Sequence, residues 1–163
     1  MTRRYMNGRY CVRCNKTEPT PYLRKNLALM GCPGHAIDIG CGNMRNTRFI
    51  SSHGWSVTPI DMCDAQNPRI LGHDAFPFKD GSVNLFLANY VFMFLDQKER
   101  AHVIGEIQRT AAPGARIMIE LYPAKDSCIH TKKETNALRD ELIENIGWRV
   151  VRKPSERCIL VRQ

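Results

Sequence analysis

Two carboxylates and a pair of glycines have the spacing of a ligand-binding loop. Asp38 lies in a short apolar run, and Gly40 and Gly42 follow it directly. Asp61 ends the next apolar run, about 20 residues later, where dinucleotide-binding folds place an acid that binds a ribose. Glycine lets a ligand approach the backbone closely, and one carboxylate can accept hydrogen bonds from two adjacent hydroxyls. These residue types therefore predict a site for a ligand that carries a ribose.

A strand, a glycine turn and a helix are predicted to position these residues. The run 36–39 is too short for a helix and is flanked by glycine, which favours a buried strand. A helix over 45–54 follows, and this order of elements directs free backbone N–H groups at a ligand. Asp38 is costly to bury in such a strand unless loop amides or a cation are its partners. The alternative is an ordinary strand–turn–helix unit, because two glycines alone are weak evidence of a site.

Three segments together carry a resemblance to a known family. The segment Asp38-Ile39-Gly40-Cys41-Gly42, followed by Asp61, resembles class I S-adenosylmethionine-dependent methyltransferases, and in particular the small type 11 group. Residues 74–82 are similar to the acid-containing loop of that group, and residues 106–114 to its helix and Pro-Gly turn. The resemblance is close over residues 35 to 124 and looser beyond them.

Alternating strand and helix patterns extend the predicted fold over the chain. Beyond the first strand, strands are expected at 56–61, 70–74, 83–88, 115–121, 148–152 and 157–162, with helices at 97–112 and 131–146. We expect an α/β fold with a Rossmann-like, doubly wound, mostly parallel seven-stranded sheet and an antiparallel last strand. The link between Asp61 and Ile70 is shorter than a parallel crossover needs, so the second crossover helix of the family is expected to be reduced or missing.

The length of 163 residues predicts one domain. We expect residues 35–163 to form the Rossmann-like core and residues 1–34 to form a basic N-terminal extension with a cap helix. Thr20 and Pro21 are a typical start for that helix, and Gly31 a typical end. No apolar run approaches the length of a membrane span, and no apolar signal segment follows the first charges, so a cytoplasmic protein is expected.

The resemblance implies S-adenosylmethionine as the cofactor. The residues that it implies for cofactor binding are Asp38, Gly40, Cys41 and Gly42 at the amino acid end, Asp61 at the ribose, and Met62, Asp74 and Ala75 at the adenine. The loop around Asp74 is shorter than is usual in the family, so Asp74 matches either of two family acids. A second departure is Met44, where the family often has a third glycine.

The acceptor is expected beside Asn89 and Tyr90, which follow the fourth predicted strand. Asn89 is predicted to contact the cofactor or the substrate, with packing of both residues as the alternative. Tyr90 and Tyr122 are the candidate substrate-binding residues, and Glu120 and Lys125 border the same strand ends. No catalytic residue is assigned, because holding a methyl donor in line with its acceptor supplies most of the rate.

The net charge of +8 comes from the two ends of the chain. Residues 1–30 have seven Lys or Arg and one acid, residues 147–163 have five and one, and residues 31–146 have twelve against fourteen. This asymmetry is typical of a protein with an anionic partner, most simply nucleic acid. Basic ends that only keep the protein soluble are the alternative.

Seven cysteines without a signal segment argue against a disulfide framework. Cys11, Cys14, Cys32 and His35 have the spacing of a Cys3His zinc site. The alternative is that His35, which begins the first predicted strand, points away. No other metal site is predicted.

Three functions are consistent with the sequence. The chain is expected to be a methyltransferase acting on nucleic acid, a methyltransferase for a small molecule or a protein, or a binder of S-adenosylmethionine without catalysis. Fold alone does not decide between them.

Overall fold

The computed structural model describes residues 16–61, 74–122 and 131–163, together with the backbone of residues 2–4 and 10–12. These two short segments, β1 (Thr2–Arg4) and β2 (Tyr10–Val12), pair as an antiparallel ribbon. The predictions for Met62, the strand at 70–73, the shortened crossover, Lys125 and the side chains of Cys11 and Cys14 lie outside the described residues.

A six-stranded sheet forms the centre of the protein. Its strands are β3 (His35–Ile39), β4 (Ser56–Ile60), β5 (Val83–Asn89), β6 (Ala111–Glu120), β7 (Arg149–Arg152) and β8 (Arg157–Val161). The spatial order is β4-β3-β5-β6-β8-β7, in which the first three pairings are parallel and β8 is antiparallel to both neighbours. The predicted mostly parallel sheet with an antiparallel last strand is confirmed, with six described strands in place of seven.

In the described part of the chain, four α-helices connect or flank these strands: α1 (Pro21–Lys25), α2 (Arg45–Ser51), α3 (Gln97–Thr110) and α4 (Lys132–Ile146). Asp96 and Thr131 cap α3 and α4, each in a capping box with the Glu three residues later. None of the described helices is long and apolar enough to cross a membrane.

The cap helix α1 starts where predicted but is shorter. The Thr20 side chain accepts from the N–H of Leu23 at its start. The Asn26 side chain donates to the carbonyl of Tyr22 at 2.7 Å, and a 3₁₀ turn over Leu27–Leu29 replaces the rest of the expected helix. A side chain that competes for backbone groups in this way is a common reason for a helix to end.

The junction between α3 and β6 differs from the prediction. We expected Pro113 and Gly114 to end the helix, but α3 ends at Thr110 and β6 begins at Ala111, opposite Val83. The register then shifts, so Pro113 and Gly114 lie in an irregular part of the strand, with Gly114 at φ 73°. Irregular pairing of this kind is where proline and glycine are tolerated in a strand.

The helices cover both faces of the sheet, as a doubly wound fold requires. Alternate side chains of the strands point to opposite faces. Phe86 and Ile37 belong to an apolar cluster with residues of α3 and α4, and Leu85 and Met118 to a second cluster with residues of α1 and α2. The carboxyl ends of β3, β4, β5 and β6 meet at one edge, and the candidate site is built there.

Candidate functional site

The glycine loop is held between the ends of β3 and β4. The N–H groups of Gly40 and Cys41 donate to the carbonyl of Ile60 at 2.8 and 3.2 Å. The N–H of Gly42 donates to Oδ2 of Asp61 at 2.8 Å. The structure thus brings together the glycine turn and the acid of the next strand, as the spacing predicted.

The two glycines have different physical reasons to be glycine, although both have positive φ, 70° at Gly40 and 54° at Gly42. A Cβ on Gly40 would lie 2.9 Å from Cβ of Val91, so packing leaves no room for a side chain. A Cβ on Gly42 would have no described atom within 4 Å. Gly42 therefore borders open space at the strand ends.

Asp38 is fully buried beside the first turn of α2. Thr47 donates its hydroxyl to Oδ2 of Asp38 at 2.6 Å, and the backbone of Thr47 also bonds to the carboxyl. Burial raises the pKa of Asp38 to about 6, opposed by the hydrogen bonds from Thr47. Asp38 therefore anchors α2 to β3, and its predicted contact with the cofactor stays a prediction.

Met44 occupies a backbone position suited to glycine. It is the N-cap of α2 and has φ 64° and ψ 21°, in the left-handed region. A residue with a Cβ is strained there, which gives a physical reason for the glycine that related sequences often carry. Met44 thus gives α2 a strained backbone at its N-cap.

The carboxylate of Glu120, at the end of β6, is the common partner of several candidate residues. Its side chain is fully buried and accepts hydrogen bonds from the hydroxyl of Thr20, from Asn89 Nδ2 at 2.7 Å and from the Tyr90 hydroxyl at 3.2 Å. Nε of Arg157 lies 3.4 Å from the same carboxylate. Burial raises the pKa of Glu120, and these four partners oppose the rise.

The two candidate substrate-binding tyrosines are brought together. The rings of Tyr90 and Tyr122 stack with centroids 4.8 Å apart, and Phe94 contacts Tyr122 edge-on. Tyr90 has φ 61°, unusual for an aromatic residue. Burial raises the pKa of Tyr90, and the charge of Glu120 raises it further, so the phenol stays protonated and donates to Glu120.

Tyr22 and Arg157 complete this region, and neither was assigned to the site from the sequence. The Arg157 guanidinium lies 5.6 Å from the centre of the Tyr22 ring. Burial raises the pKa of Tyr22 to about 12. Both residues are far from Glu120 in the sequence, so only the fold reveals that they belong to its surroundings.

The other described candidates, Asp74, Ala75 and His35, are exposed or make structural contacts. Asp74 and Ala75 are exposed, and His102 of α3 donates to the Asp74 carbonyl at 2.9 Å. His35 lies with Nε2 at 3.0 Å from the Thr58 hydroxyl and its ring edge against Phe78. Among the residues that the structure describes, no group of His, Cys, Asp and Glu could hold a metal ion.

Solved structures share this architecture. A S-adenosylmethionine-dependent methyltransferase from Aquifex aeolicus has 18% identity and a TM-score of 0.60, with 88% of this chain and 92% of that chain covered. The 1,6-didemethyltoxoflavin-N1-methyltransferase of Burkholderia thailandensis, with bound S-adenosylhomocysteine, has 14% identity and a TM-score of 0.68, covering 88% and 77%. A TehB-like methyltransferase from Corynebacterium glutamicum has 17% identity and a TM-score of 0.60, covering 85% and 86%. At these identities the similarity shows the fold.

The sequence itself matches one family model. The model describes a methyltransferase domain and matches residues 37–119, just over half of the chain, from the glycine strand to the end of β6. A search among curated proteins finds no match. With the glycine loop, the acid of the next strand and the sheet order in agreement, the chain belongs to the type 11 methyltransferase domain family and is an S-adenosylmethionine-dependent enzyme.

Proposed function

We propose that S-adenosylmethionine binds at the carboxyl ends of β3 and β4, against the glycine loop. Gly42 borders open space, and the Asp61 carboxylate is fixed beside it by the Gly42 N–H. These groups fit the cofactor, since Asp61 can take ribose hydroxyls and the loop can take the amino acid end. The other residues that would hold it are Asp38, Cys41, Met62, Asp74, Ala75 and Asn89.

The residues of this chain act mainly by positioning. The cofactor, when bound, supplies an electrophilic methyl group, and transfer needs that group in line with a nucleophile. The Asn89–Tyr90 turn at the end of β5 lies beside the glycine loop because β3 and β5 are paired neighbours. An acceptor held at this turn would therefore meet the cofactor.

We infer that the acceptor is nucleic acid, and one contact carries this proposal. Arg157 of the C-terminal hairpin lies over the ring of Tyr22 in α1, and Arg152 is close enough to act on the pKa of Tyr22. The described part of the N-terminal basic end, residues 16–30, is thus a neighbour of the C-terminal hairpin in the fold. A joint basic surface is the electrostatic footprint that a phosphate backbone requires.

Exposed basic side chains flank this contact on both elements. Those described are Lys16, Arg24 and Lys25 around α1, and Arg149, Arg152 and Lys153 on and after β7. A surface salt bridge at 3.9 Å joins Arg24 to Glu18, and another at 2.7 Å joins Lys153 to Asp140. Exposed pairs of this kind are weak, so Arg24 and Lys153 could exchange these carboxylates for a phosphate group.

The test is the salt dependence of binding to single-stranded RNA and DNA. Each neutralised phosphate releases about one counterion, so changing Arg149, Arg152 and Lys153 to Gln should weaken binding and flatten the slope of log K against log salt. A second variant carries Gln at Arg3, Arg4, Arg9 and Arg13. Both should still bind S-adenosylmethionine.

A matched control changes Lys79 and Lys98, which are exposed before β5 and at the start of α3. This variant should keep the wild-type slope. If the wild-type protein binds neither RNA nor DNA at low salt, the nucleic-acid proposal fails while the cofactor site stands.

A small heterocyclic acceptor is the second candidate. The stacked pair of Tyr90 and Tyr122 favours a planar molecule, because aromatic side chains bind flat rings by stacking. One structural neighbour is named for methylation of a small heterocycle, 1,6-didemethyltoxoflavin. A screen with labelled S-adenosylmethionine against RNA, DNA, protein and small-molecule fractions distinguishes the candidates.

A further inference from the structure

The buried side-chain atoms without a hydrogen-bond partner are concentrated in one place. Among the described residues they are the Tyr22 hydroxyl, Asn89 Oδ1 and Arg157 Nε. Asn89 and Arg157 both contact Glu120, and Tyr22 lies under Arg157. Arg157 Nε has an ion-pair contact with Glu120 at 3.4 Å but no hydrogen bond, and the other two atoms have neither. Buried polar atoms are nearly always hydrogen-bonded, so these three atoms, on residues linked through Arg157 and Glu120, indicate a place that a ligand completes.

The surroundings of Glu120 decide how Asn89 is oriented. Thr20, Asn89 and Tyr90 all donate to this carboxyl, and Arg157 lies beside it. Only an ionised carboxylate accepts from all of them. The NH2 group of Asn89 must therefore face Glu120, and its Oδ1 remains as a buried acceptor without a donor. Asn89 is 8% exposed and Tyr22 7%, so these atoms are withdrawn from bulk water.

We propose that Tyr22, Asn89 and Arg157 form a polar subsite, held by Glu120, for the lactam edge of a heterocyclic methyl acceptor. A lactam has an N–H next to a carbonyl. The N–H would donate to Asn89 Oδ1, and the carbonyl would accept from the Tyr22 hydroxyl or Arg157 Nε. The proposal rests on the proposed function in one respect, which is that the acceptor meets the cofactor beside Asn89.

The neighbouring aromatic residues agree with a planar ligand. Tyr90 donates to the same carboxylate as Asn89 and stacks on Tyr122. A flat ring that reaches the subsite would therefore pass beside two aromatic side chains. An unstacked uracil or guanine of a nucleic acid and a free heterocycle share this chemistry.

The test is calorimetry with uridine and with the 2-pyrimidinone riboside, each with and without S-adenosylhomocysteine. Uridine has the lactam N–H, and the 2-pyrimidinone riboside has no N–H donor on its base. A site built to hydrogen-bond a group rejects an analogue without it, so uridine should bind at least tenfold more tightly. A single-stranded oligouridine is titrated in the same way. If the protein binds oligouridine more tightly than uridine, the acceptor is part of a nucleic acid. If it binds both equally, the acceptor is a free heterocycle.

Two variants remove the proposed contacts. Tyr22→Phe keeps the ring beneath Arg157 and deletes only the unpaired hydroxyl, and Asn89→Ala deletes the unpaired oxygen. Each should weaken uridine binding about tenfold, and Tyr22→Phe should leave the affinity for S-adenosylhomocysteine unchanged. Tyr22→Phe should also keep or raise the thermal midpoint, because the hydroxyl has no partner to lose. Asn145→Ala, at an exposed position of α4, is the control and should change neither affinity.

Several results would overturn the subsite. One is that wild-type protein does not bind uridine, or binds the 2-pyrimidinone riboside equally well. Another is that Tyr22→Phe keeps full uridine affinity, which would mean that water satisfies these atoms. A matching loss of S-adenosylhomocysteine binding in Tyr22→Phe would mean that the Tyr22 hydroxyl supports the fold or the cofactor site and not an acceptor. Absence of S-adenosylhomocysteine binding in the wild type would refute the proposed cofactor site, and the titrations without it would still decide the subsite.

Discussion

Thr20 donates its hydroxyl to the buried carboxylate of Glu120, which lies 100 residues further along the chain. The N–H of Thr20 also donates to Oδ1 of Asn46 in α2, at 3.0 Å. The N-cap of α1 is therefore bonded both to the end of β6 and to the helix that follows the glycine loop. These two hydrogen bonds of Thr20 hold α1 against the candidate site.

Replacing Thr20 by Val should destabilise the fold. The substitution deletes a donor to a buried carboxylate and the cap of α1, and such losses cost on the order of 1–3 kcal/mol. Denaturant unfolding measures the change. Thr20→Ser keeps the hydroxyl and should stay close to the wild type. Equal losses in both variants would contradict a role for the hydroxyl.

Replacing Asp61 by Ala should weaken the binding of S-adenosylmethionine. The carboxylate accepts from the Gly42 N–H at 2.8 Å and is placed to take ribose hydroxyls. Stranding hydrogen-bonded partners costs on the order of 1–3 kcal/mol, or roughly 5- to 150-fold in affinity. Calorimetry of wild type and variant measures it. Asp80→Ala removes an exposed acid that pairs with Arg109 and should leave the affinity unchanged.

The glycine loop is the part of the site most readily predicted from sequence. A strand, a turn and a helix that follow one another are set by local patterns, so Gly40, Gly42 and Asp61 were placed correctly relative to one another. Their hydrogen bonds span at most 20 residues. The turn chemistry and the apolar run carry this information directly.

The region around Glu120 could not be predicted in the same way. Its partners Thr20, Asn89, Tyr90 and Arg157 come from three elements, α1, β5 with its following turn, and β8, and they meet only when the sheet order is known. Local patterns also failed at Pro113, where a typical helix stop lies in a strand because β6 pairs early with β5. In both places long-range contacts outweigh the local secondary-structure preference of the sequence.

Replacing Met44 by Gly should stabilise the protein. Met44 has φ 64°, a conformation that costs a residue with a Cβ about 1 kcal/mol and costs glycine almost nothing. The free energy of unfolding should rise by roughly 0.5–1 kcal/mol. The control is Arg48→Gly, at an exposed position inside α2. Its free energy of unfolding should fall by up to about 1 kcal/mol. Destabilisation by both would contradict the assignment of strain to Met44.

Asp38 should make the protein less stable as the pH rises from about 4 to 6. Burial raises its pKa from the ordinary 3.8 to about 6, so in this window the folded state holds a proton that the unfolded state has lost. The free energy of unfolding then falls with rising pH, by roughly 2–3 kcal/mol at most.

The matched variant for this prediction is Asp38→Asn. Its amide oxygen can still accept from Thr47, and it does not titrate. Unfolding curves at pH 4, 5, 6 and 7 should show the variant gaining on the wild type as the pH rises. A constant difference between the two proteins would show that Asp38 is ionised in the folded state throughout.

The position of β8 between β6 and β7 makes the fold sensitive to damage at one strand. β8 supplies the only described partner of β7 and covers the long edge of β6. A chain cut before Arg157 would lose the guanidinium beside Glu120 and would leave the apolar stretch Ile117–Ile119 as an open sheet edge. Open edges of this kind recruit other chains. A proteolytic nick in the turn between β7 and β8 would therefore be followed by aggregation once the last strand separates.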